Sequence, residues 1–345
     1  MSDQHVKSDA ASPADPLDTQ LARDLGIAVP IICGPMYPCS NPELVAAVSA
    51  AGGIGVVQPI SLTFVHGWDF REGLQHIRSL TDRPIGMNAL IEGNSKTYRK
   101  RMEGWLEIAL EEGVRFFVTS LGKPDWVAEQ VHAAGGLVYH DVTERKWAQK
   151  GADCGVDGLI AVNREAGGHA GPRDPRALLD EVGDLGLPVV CAGGVGEARQ
   201  FIEALQMGYA GVQMGTRFIA TTECSAGDPY KAALIEAQAS DIVLSERITG
   251  VPVAVIETPW IRATGTRAGF LARRLLRHRR TKHWMRSFYA LRALWQLRRA
   301  SFSTRGKRDY WQAGRSVGGV RSILHAAEII QDFADAARNS PRSSA

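Results

Sequence analysis

The residues best suited to chemistry lie in the stretch 163–172, which reads NREAGGHAGP. It places one imidazole, His169, among Gly167, Gly168 and Gly171, directly after an apolar run. Glycine lets a backbone turn sharply and approach a ligand closely because it has no Cβ. An imidazole exchanges a proton near neutral pH. We therefore interpret His169 as the candidate catalytic residue, and an ordinary surface or core histidine is the alternative.

The composition is that of an ordinary globular enzyme, since 45% of the 345 residues are hydrophobic and 22% are charged. The five cysteines have no CxxC spacing, so neither a metal site nor a disulfide framework is predicted, and a cytoplasmic location fits best. Because the sequence has no signal-peptide pattern and no long apolar run, no membrane span is expected. The polar ends, residues 1–20 and 339–345, are predicted to be disordered.

Short apolar runs recur along the chain, each followed by a Gly, Pro or Asn cluster and a helix-like segment. Runs that are apolar at consecutive positions are typical of parallel strands covered on both faces. Eight such units favour a closed (β/α)8 TIM barrel over residues 21–259, with an open doubly wound sheet as the alternative. The predicted strands are Val29–Cys33, Ile54–Gln58, Pro84–Leu90, Phe116–Ser120, Leu137–Val142, Gly158–Val162, Pro188–Ala192 and Gly211–Met214.

In such a barrel the active site lies at the carboxyl ends of the strands. The loops after predicted strands seven and eight are rich in glycine and lead into helices, so their N–H groups and helix N-termini could hold a phosphate. Simple tight turns are the alternative. The Asn88 amide can donate and accept at once, as the edge of a flavin requires. Lys123 precedes a helix-opening proline, and a solvated side chain is expected there rather than a flavin contact.

Five motifs resemble the nitronate monooxygenase family: GPM, MNAL, EAGGHAG, CAGGV and GVQMGTRFIATTECSA. The resemblance runs from about Ile31 to Pro259 and resumes near Trp311. It implies a TIM barrel that binds FMN non-covalently, with His169 as the catalytic residue. The expected cofactor-binding residues are Gly34, Pro35, Met36, Asn88, Gly167, Gly168, Gly171, Ala192, Gly193, Gly194, Gln213, Met214, Gly215 and Thr216. Val162 and Tyr37 depart from the family pattern.

The resemblance also implies an activity, the oxidation of alkyl nitronates by dioxygen to a carbonyl compound and nitrite. His169 would remove the α-proton from a neutral nitroalkane. Related flavin-dependent enoyl-acyl carrier protein reductases carry a similar GGH loop, and some family members look like NAD(P)H:quinone reductases. An NAD(P)H-dependent flavin reductase is therefore the first alternative. A non-catalytic barrel that binds an anionic partner is the second.

The segment 262–308 contains fifteen Lys or Arg residues and no Asp or Glu. Its apolar residues recur at near-helical spacing, so residues 260–309 are predicted to be a basic helical insertion. Three roles remain open for it: a lid on the barrel, a docking site for an anionic partner, or attraction of an anionic substrate such as NAD(P)H. Residues 310–338 are expected to pack back on the barrel, with Gly314 and Ser316 near FMN and a final helix over Val320–Ala337.

Overall fold

Eight parallel strands form a closed barrel in the computed structural model, which describes residues 15–92, 95–247, 251–267, 295–302 and 310–341. Neighbouring strands in the sequence are neighbours in the barrel, and pairing of Ile31 with Val212 joins the first strand to the eighth. The strands are β1 (Ile31–Cys33), β2 (Ile54–Val57), β3 (Gly86–Ile91), β4 (Phe116–Leu121), β5 (Leu137–Val142), β6 (Gly158–Val162), β7 (Val189–Ala192) and β8 (Gly211–Met214). The predicted TIM barrel is confirmed.

Helices alternate with these strands, as a right-handed crossover between parallel strands requires. They are α1 (Gln20–Leu25), α2 (Pro42–Ala50), α3 (Phe70–Leu80), α4 (Lys96–Glu111), α5 (Asp125–Ala133), α6 (Arg145–Asp153), α7 (Pro175–Val182), α8 (Ala198–Met207), α9 (Thr216–Ile219), α10 (Asp228–Glu236) and α11 (Pro259–Thr264). Local sequence explains several starts. Pro42 and Pro175 occupy first helical positions, where a missing N–H costs nothing. Asp174 caps α7 by accepting a hydrogen bond from the Ala177 N–H.

The barrel has two apolar layers. Inside it, alternate strand residues such as Ile32, Val118 and Tyr139 pack together, and Leu21 of α1 belongs to this interior cluster. The other strand residues face outward and pack against the helices in a second, larger cluster. This alternation decides which side chains point toward the barrel axis.

The C-terminal helix is Ala326–Asn339, so the predicted start at Val320 is wrong. Residues Arg315–Gly319 form a 3-10 turn, and Leu324 then pairs with Thr221 of the barrel. The helix begins only after this contact, where the Glu328 carboxylate accepts a hydrogen bond from the His325 N–H at 2.7 Å. Tertiary pairing therefore overrides the helical pattern of the preceding residues.

A short antiparallel hairpin follows the barrel, with strands β9 (Ile242–Ser245) and β10 (Val253–Ile256). The next described stretch lies alongside it, because the Ile256 N–H donates to the Trp311 carbonyl at 3.0 Å and the Ala313 N–H donates to the Ala254 carbonyl at 3.3 Å. The Ala254 N–H in turn donates to the Gly168 carbonyl at 2.8 Å. The hairpin thus connects the C-terminal segment to the loop after β6.

The described part of the basic segment, residues 295–302, is helical and lies across loops at one end of the barrel. Arg298 donates to the carbonyl of Val65, after β2, at 3.4 Å. The Ser301 carbonyl accepts from the Gly227 N–H at 2.8 Å, and Leu297 is buried. Through these contacts, residues 295–302 cover the loops after β2 and β8. The predicted helices between 268 and 294 lie outside the described residues.

Candidate functional site

His169 lies in the loop that joins β6 to α7. Its ring is accessible to solvent although many protein atoms surround it, as expected for a side chain in a concave site. This partial burial lowers the pKa of the imidazole below its ordinary value. Within the described part of the chain, the ring has no hydrogen-bond partner. The lowered pKa favours the neutral imidazole, and no described residue occupies either of its nitrogens.

Asn163 fixes the shape of this loop, a role that the sequence analysis did not assign. The residue is completely buried. Its Nδ2 donates to the Gly193 carbonyl at 3.0 Å, and its Oδ1 accepts from the Glu165 N–H at 2.8 Å. Its backbone N–H donates to the Ala192 carbonyl at 3.0 Å, and its carbonyl accepts from the Gly171 N–H at 3.3 Å. The signal available in the sequence was a polar residue at the end of an apolar strand.

We expect Asn163→Ala to lower the free energy of unfolding by about 2–4 kcal/mol, because it leaves buried groups of two loops without partners. Urea denaturation measures this change. The control is Arg164→Ala, which alters the next residue, an exposed one, and should change stability by less than about 0.5 kcal/mol. Equal effects of the two substitutions would show that Asn163 does not hold the loops together.

The loop after β7 passes very close to the loop after β6. Gly193 has a φ of 117°, and a Cβ there would lie 2.5 Å from the Ala166 nitrogen. At Gly194, with a φ of 87°, a Cβ would lie 2.4 Å from a carboxylate oxygen of Glu165. Both positions therefore favour glycine for conformation, and Gly193 also requires it for space, because the Ala166 backbone cannot move aside as the Glu165 side chain can.

Backbone donors in these loops are available to an anion. The N–H groups of Gly193, Gly194 and Gly215 have no hydrogen-bond acceptor among the described residues. Just before α8, the Gln200 side chain accepts from the N–H groups of Gly196 and Glu197 at 2.7 and 3.1 Å, whereas the N–H groups of Ala198 and Arg199 have no acceptor among the described residues. The open donors thus belong to the glycine loops and to the first turn of α8.

Thr216 joins the loop after β8 to the C-terminal segment. Its hydroxyl oxygen accepts from the Gly314 N–H at 3.0 Å, which leaves the hydroxyl proton free to donate. Gly314 also lies against the loop after β6, since a Cβ on Gly167 would lie 2.9 Å from the Gly314 nitrogen. Gly314 thus lies between the loops after β6 and β8, and its expected approach to FMN stays a prediction. Ser316 is buried and lies against Gly196.

The loops after β1 and β8 are also in contact. A Cβ on Gly34 would lie 2.8 Å from the Gln213 side chain, and a Cβ on Gly215 would lie 3.2 Å from the Met36 sulfur. Pro35 lies between Gly34 and Met36 in the same loop. The Oε1 atom of Gln213 is buried and has no hydrogen-bond partner among the described residues. A buried acceptor of this kind is costly unless a ligand satisfies it.

The remaining expected site residues occupy separate places. Asn88 is buried, and its Nδ2 donates to the Val118 carbonyl at 3.1 Å. The Val162 carbonyl lies against Gly171, since a Cβ on that glycine would be 2.4 Å away. Burial raises the pKa of Tyr37, and nearby Arg298 opposes this shift. Lys123 is exposed and pairs with Asp125 at 2.7 Å, so it is the solvated lysine expected.

The described residues contain no group of three or more His, Cys, Asp or Glu side chains able to hold a metal ion. Among the helices that the structure describes, none has the length and apolar character needed to cross a membrane. As far as the structure describes it, the site is thus a ring of loops in which several backbone donors, the Gln213 amide oxygen and the His169 imidazole have no hydrogen-bond partner.

Comparison with known proteins places this site in a family. The family model described as nitronate monooxygenase matches residues 19–335. A Mycobacterium tuberculosis protein named (3aS,4S,5R,7aS)-5-hydroxy-7a-methyl-1-oxo-octahydro-1H-indene-4-carboxyl-CoA dehydrogenase is 31% identical over 74% of this chain and 72% of its own length. The nitronate monooxygenase of Pseudomonas aeruginosa is 30% identical over 67% of this chain and 77% of its own. The structure of FabK from Thermotoga maritima superposes with a TM-score of 0.76 at 26% identity, and the match covers 93% of this chain and 96% of that one.

The barrel fold and the glycine loops are consistent with these comparisons, which show that the chain belongs to the nitronate monooxygenase family of flavin-dependent oxidoreductases.

Proposed function

We propose that this protein uses FMN to oxidise alkyl nitronates with dioxygen, giving a carbonyl compound and nitrite. The observation that carries the proposal is the free imidazole of His169 beside loops whose unpaired groups suit a flavin. Membership in the nitronate monooxygenase family supports the same activity. The five cysteines, all free, support a cytoplasmic location.

The residues present fit FMN. The N–H groups of Gly193, Gly194 and Gly215, together with the Thr216 hydroxyl, would hold the phosphate as hydrogen-bond donors. The buried Gln213 Oε1 would accept from the N–H of the flavin ring. When bound, FMN supplies the electron-accepting chemistry that no side chain can provide. The protein supplies position, electrostatics and proton transfer.

His169 acts on the α-carbon of the substrate. A neutral imidazole is the form that accepts a proton, and the lowered pKa keeps the ring neutral at pH 7. With a neutral nitroalkane, His169 would remove the α-proton and produce the nitronate. With a nitronate supplied directly, the residue would only bind and orient the anion.

Because His169 has a different role with each substrate, the two substrates should differ in the pH dependence of kcat/KM. For neutral nitroalkanes, kcat/KM should be constant at neutral pH and fall about tenfold per pH unit below the His169 pKa, which lies under the ordinary value of about 6.5. Nitronate turnover should lack this acidic limb. Steady-state assays with both substrates measure the profiles. The same limb in both profiles would contradict the role of His169 as the base.

Oxidation or reduction of an acyl-CoA thioester is the second candidate. The name of the Mycobacterium tuberculosis relative gives an acyl-CoA as its substrate. The hydrogen α to a thioester carbonyl is acidified in the same way as that of a nitroalkane, so one base and one flavin could serve both. The fifteen Lys or Arg residues of the segment 262–308 could attract the phosphates of CoA or NAD(P)H.

Anaerobic mixing distinguishes the candidates. The FMN-loaded protein is mixed in turn with ethylnitronate, NADH, NADPH and a short acyl-CoA, and bleaching of the flavin absorption is followed. Reduction by ethylnitronate, followed by nitrite release with oxygen, supports the proposal. Reduction only by a nicotinamide or only by the acyl-CoA would replace it with the second candidate. A protein that cannot be loaded with FMN would overturn both.

A further inference from the structure

Asp141 on β5 is a buried carboxyl that the function described above does not use. It points into the barrel, because its neighbour two residues earlier, Tyr139, belongs to the interior cluster. His140, between them, points outward and contacts Gly151 of α6. Side chains alternate along a strand, so Asp141 shares the inward face with Tyr139 and lies nearer the carboxyl end.

Strand pairing places Asp141 level with Asn88. Asn88 pairs with Val118, and Val118 pairs with Tyr139. In an eight-stranded barrel of this type, the strands are staggered by about one residue from each strand to the next. Two strands along from Asn88, the level position is therefore two residues beyond Tyr139. That residue is Asp141.

The same stagger applies to the other strands. Two strands beyond Asp141, the level position is Ala192 on β7, and two strands beyond Ala192 it is Gly34, which follows β1. The four residues, one from each alternate strand, form a single interior layer, as TIM barrels build them. This layer is at the mouth, since Ala192 ends β7 and Gly34 follows β1. Gly34, Asn88 and Ala192 are expected cofactor contacts, whereas Asp141 is the one ionisable member.

The carboxyl of Asp141 lacks the partners that a buried charge needs. The side chain as a whole is half-buried, but its Oδ1 is buried and has no hydrogen-bond partner among the described residues. An unpaired carboxylate is costly in such a place, and the neutral acid, which carries an O–H donor, is favoured.

We propose that Asp141 completes the floor of the FMN site and that its neutral carboxyl group donates a hydrogen bond to the bound flavin. The inference rests on the proposed use of FMN. It assigns a flavin contact to an aspartate, a residue that is normally ionised. Flavin binding would therefore depend on whether the Asp141 carboxyl is protonated.

The groups around Asp141 are compatible with this role. Burial raises its pKa to about 7, and no charged group contributes to the shift. On β6 Asp141 pairs with Ile160, and on β4 the position that follows the Thr119–His140 pair is Ser120; neither side chain titrates near neutral pH. Tyr139 lies one step deeper, and burial raises its pKa far above neutral. His169 lies on the loop after β6, and burial lowers the pKa of its imidazole.

Flavin affinity measured against pH tests the proposal. The full chain, Asp141→Asn and Asp141→Leu are titrated with FMN between pH 6 and 9, and flavin fluorescence gives Kd. The original protein should lose affinity roughly tenfold as the carboxylate forms, because one hydrogen bond is lost. Asp141→Asn, whose amide donates at every pH, should keep only the pH dependence that comes from titration of the FMN phosphate. Asp141→Leu should bind weakly throughout.

Three controls make the test specific. Asp153→Asn changes an exposed carboxyl of α6 and should keep the original pH dependence. His169→Asn should keep it too, which separates Asp141 from the imidazole. The FMN phosphate titrates near pH 6, but Asp141→Asn shares this titration and therefore corrects for it. In addition, the visible spectrum of bound FMN should shift with pH in the original protein and not in Asp141→Asn.

Three results would overturn the proposal. If FMN binds and both Asp141 variants keep the affinity, spectrum and pH dependence of the original protein, Asp141 does not contact the flavin, although the proposed function stands. If no variant and no preparation binds FMN, both the proposed function and this inference fail. If the Asp141 variants do not fold, the visible spectrum of bound FMN is measured against pH in the original protein and in His169→Asn. A spectrum that does not change with pH in either protein excludes the contact.

Discussion

Replacement of His169 by asparagine should lower kcat/KM for neutral nitroalkanes by about 10²- to 10⁴-fold, the usual contribution of a general base. Asparagine cannot accept the α-proton, but it has a similar size and can still donate a hydrogen bond. Turnover of preformed nitronates should therefore fall much less. FMN content should stay unchanged, because the ring of His169 makes no hydrogen bond within the described structure that could hold the loop.

The measurement is a pair of steady-state assays, one with nitroethane and one with ethylnitronate, on protein of known FMN content. The control is His132→Asn, which changes a histidine of α5 that pairs with Asp157 at 2.8 Å outside the mouth. It should leave both activities unchanged. Equal losses on the two substrates would contradict proton removal by His169, and so would equal retention.

Replacement of Gly193 by alanine should strongly destabilise the site, because this position combines a steric clash with a positive φ. The new Cβ would collide with the Ala166 nitrogen and with Asn163 Oδ1, each 2.5 Å away, at a φ of 117° that side chains rarely adopt. Strain and overpacking together should lower the free energy of unfolding by about 3–5 kcal/mol. Because the Gly193 N–H is an expected phosphate donor, FMN affinity should fall at least tenfold.

Gly208→Ala is the matched control for this experiment. Gly208 has a similar φ of 105°, but the nearest atom to a Cβ there lies 3.9 Å away in the Leu179 side chain. It ends α8, away from the glycine loops, so the substitution should cost only the conformational strain, about 1–2 kcal/mol, with FMN affinity unchanged. Urea denaturation and flavin titration measure both variants. If Gly193→Ala behaves like Gly208→Ala, the two loops do not approach as closely as described.

The two candidate reactions share most of this machinery. Both need a base beside the flavin, so His169→Asn should impair either one. They differ in what the anionic end of the substrate contacts, and the basic residues of 295–302 lie over the loops after β2 and β8. A salt-dependent KM for an acyl-CoA, with none for ethylnitronate, would favour the thioester substrate.

The strands and their order could be predicted from the sequence because the signal is local. Consecutive apolar residues, followed by turn residues and a helix, specify a buried parallel strand wherever they occur, and β5, β6 and β8 begin and end at the predicted residues. The position of His169 after the sixth strand follows from that order. So does the place of the glycine loops at one end of the barrel, because parallel strands all carry their carboxyl ends to the same side.

The partners of these residues were decided only by the tertiary structure. The stretch from Val320 to His325 has a helical pattern, yet Leu324 pairs with Thr221 and the helix starts later. The Gln200 side chain accepts from the N–H groups of Gly196 and Glu197 just before α8, so these two amides are not open to a ligand. Hydrogen bonds between distant loops depend on how the strands are staggered, and no local pattern records this.

Asn163 and Asp141 show the same limit at the site itself. Both residues lie in or beside predicted strands, and the sequence pattern does not indicate what a polar side chain does at such a position. The barrel closes Asn163 onto the loop after β7 and brings Asp141 level with Gly34, Asn88 and Ala192. The sequence alone determined which loops carry the chemistry, through its apolar periodicity. Barrel closure determined which side chains meet there, because it fixes the register of strands that are far apart in the chain.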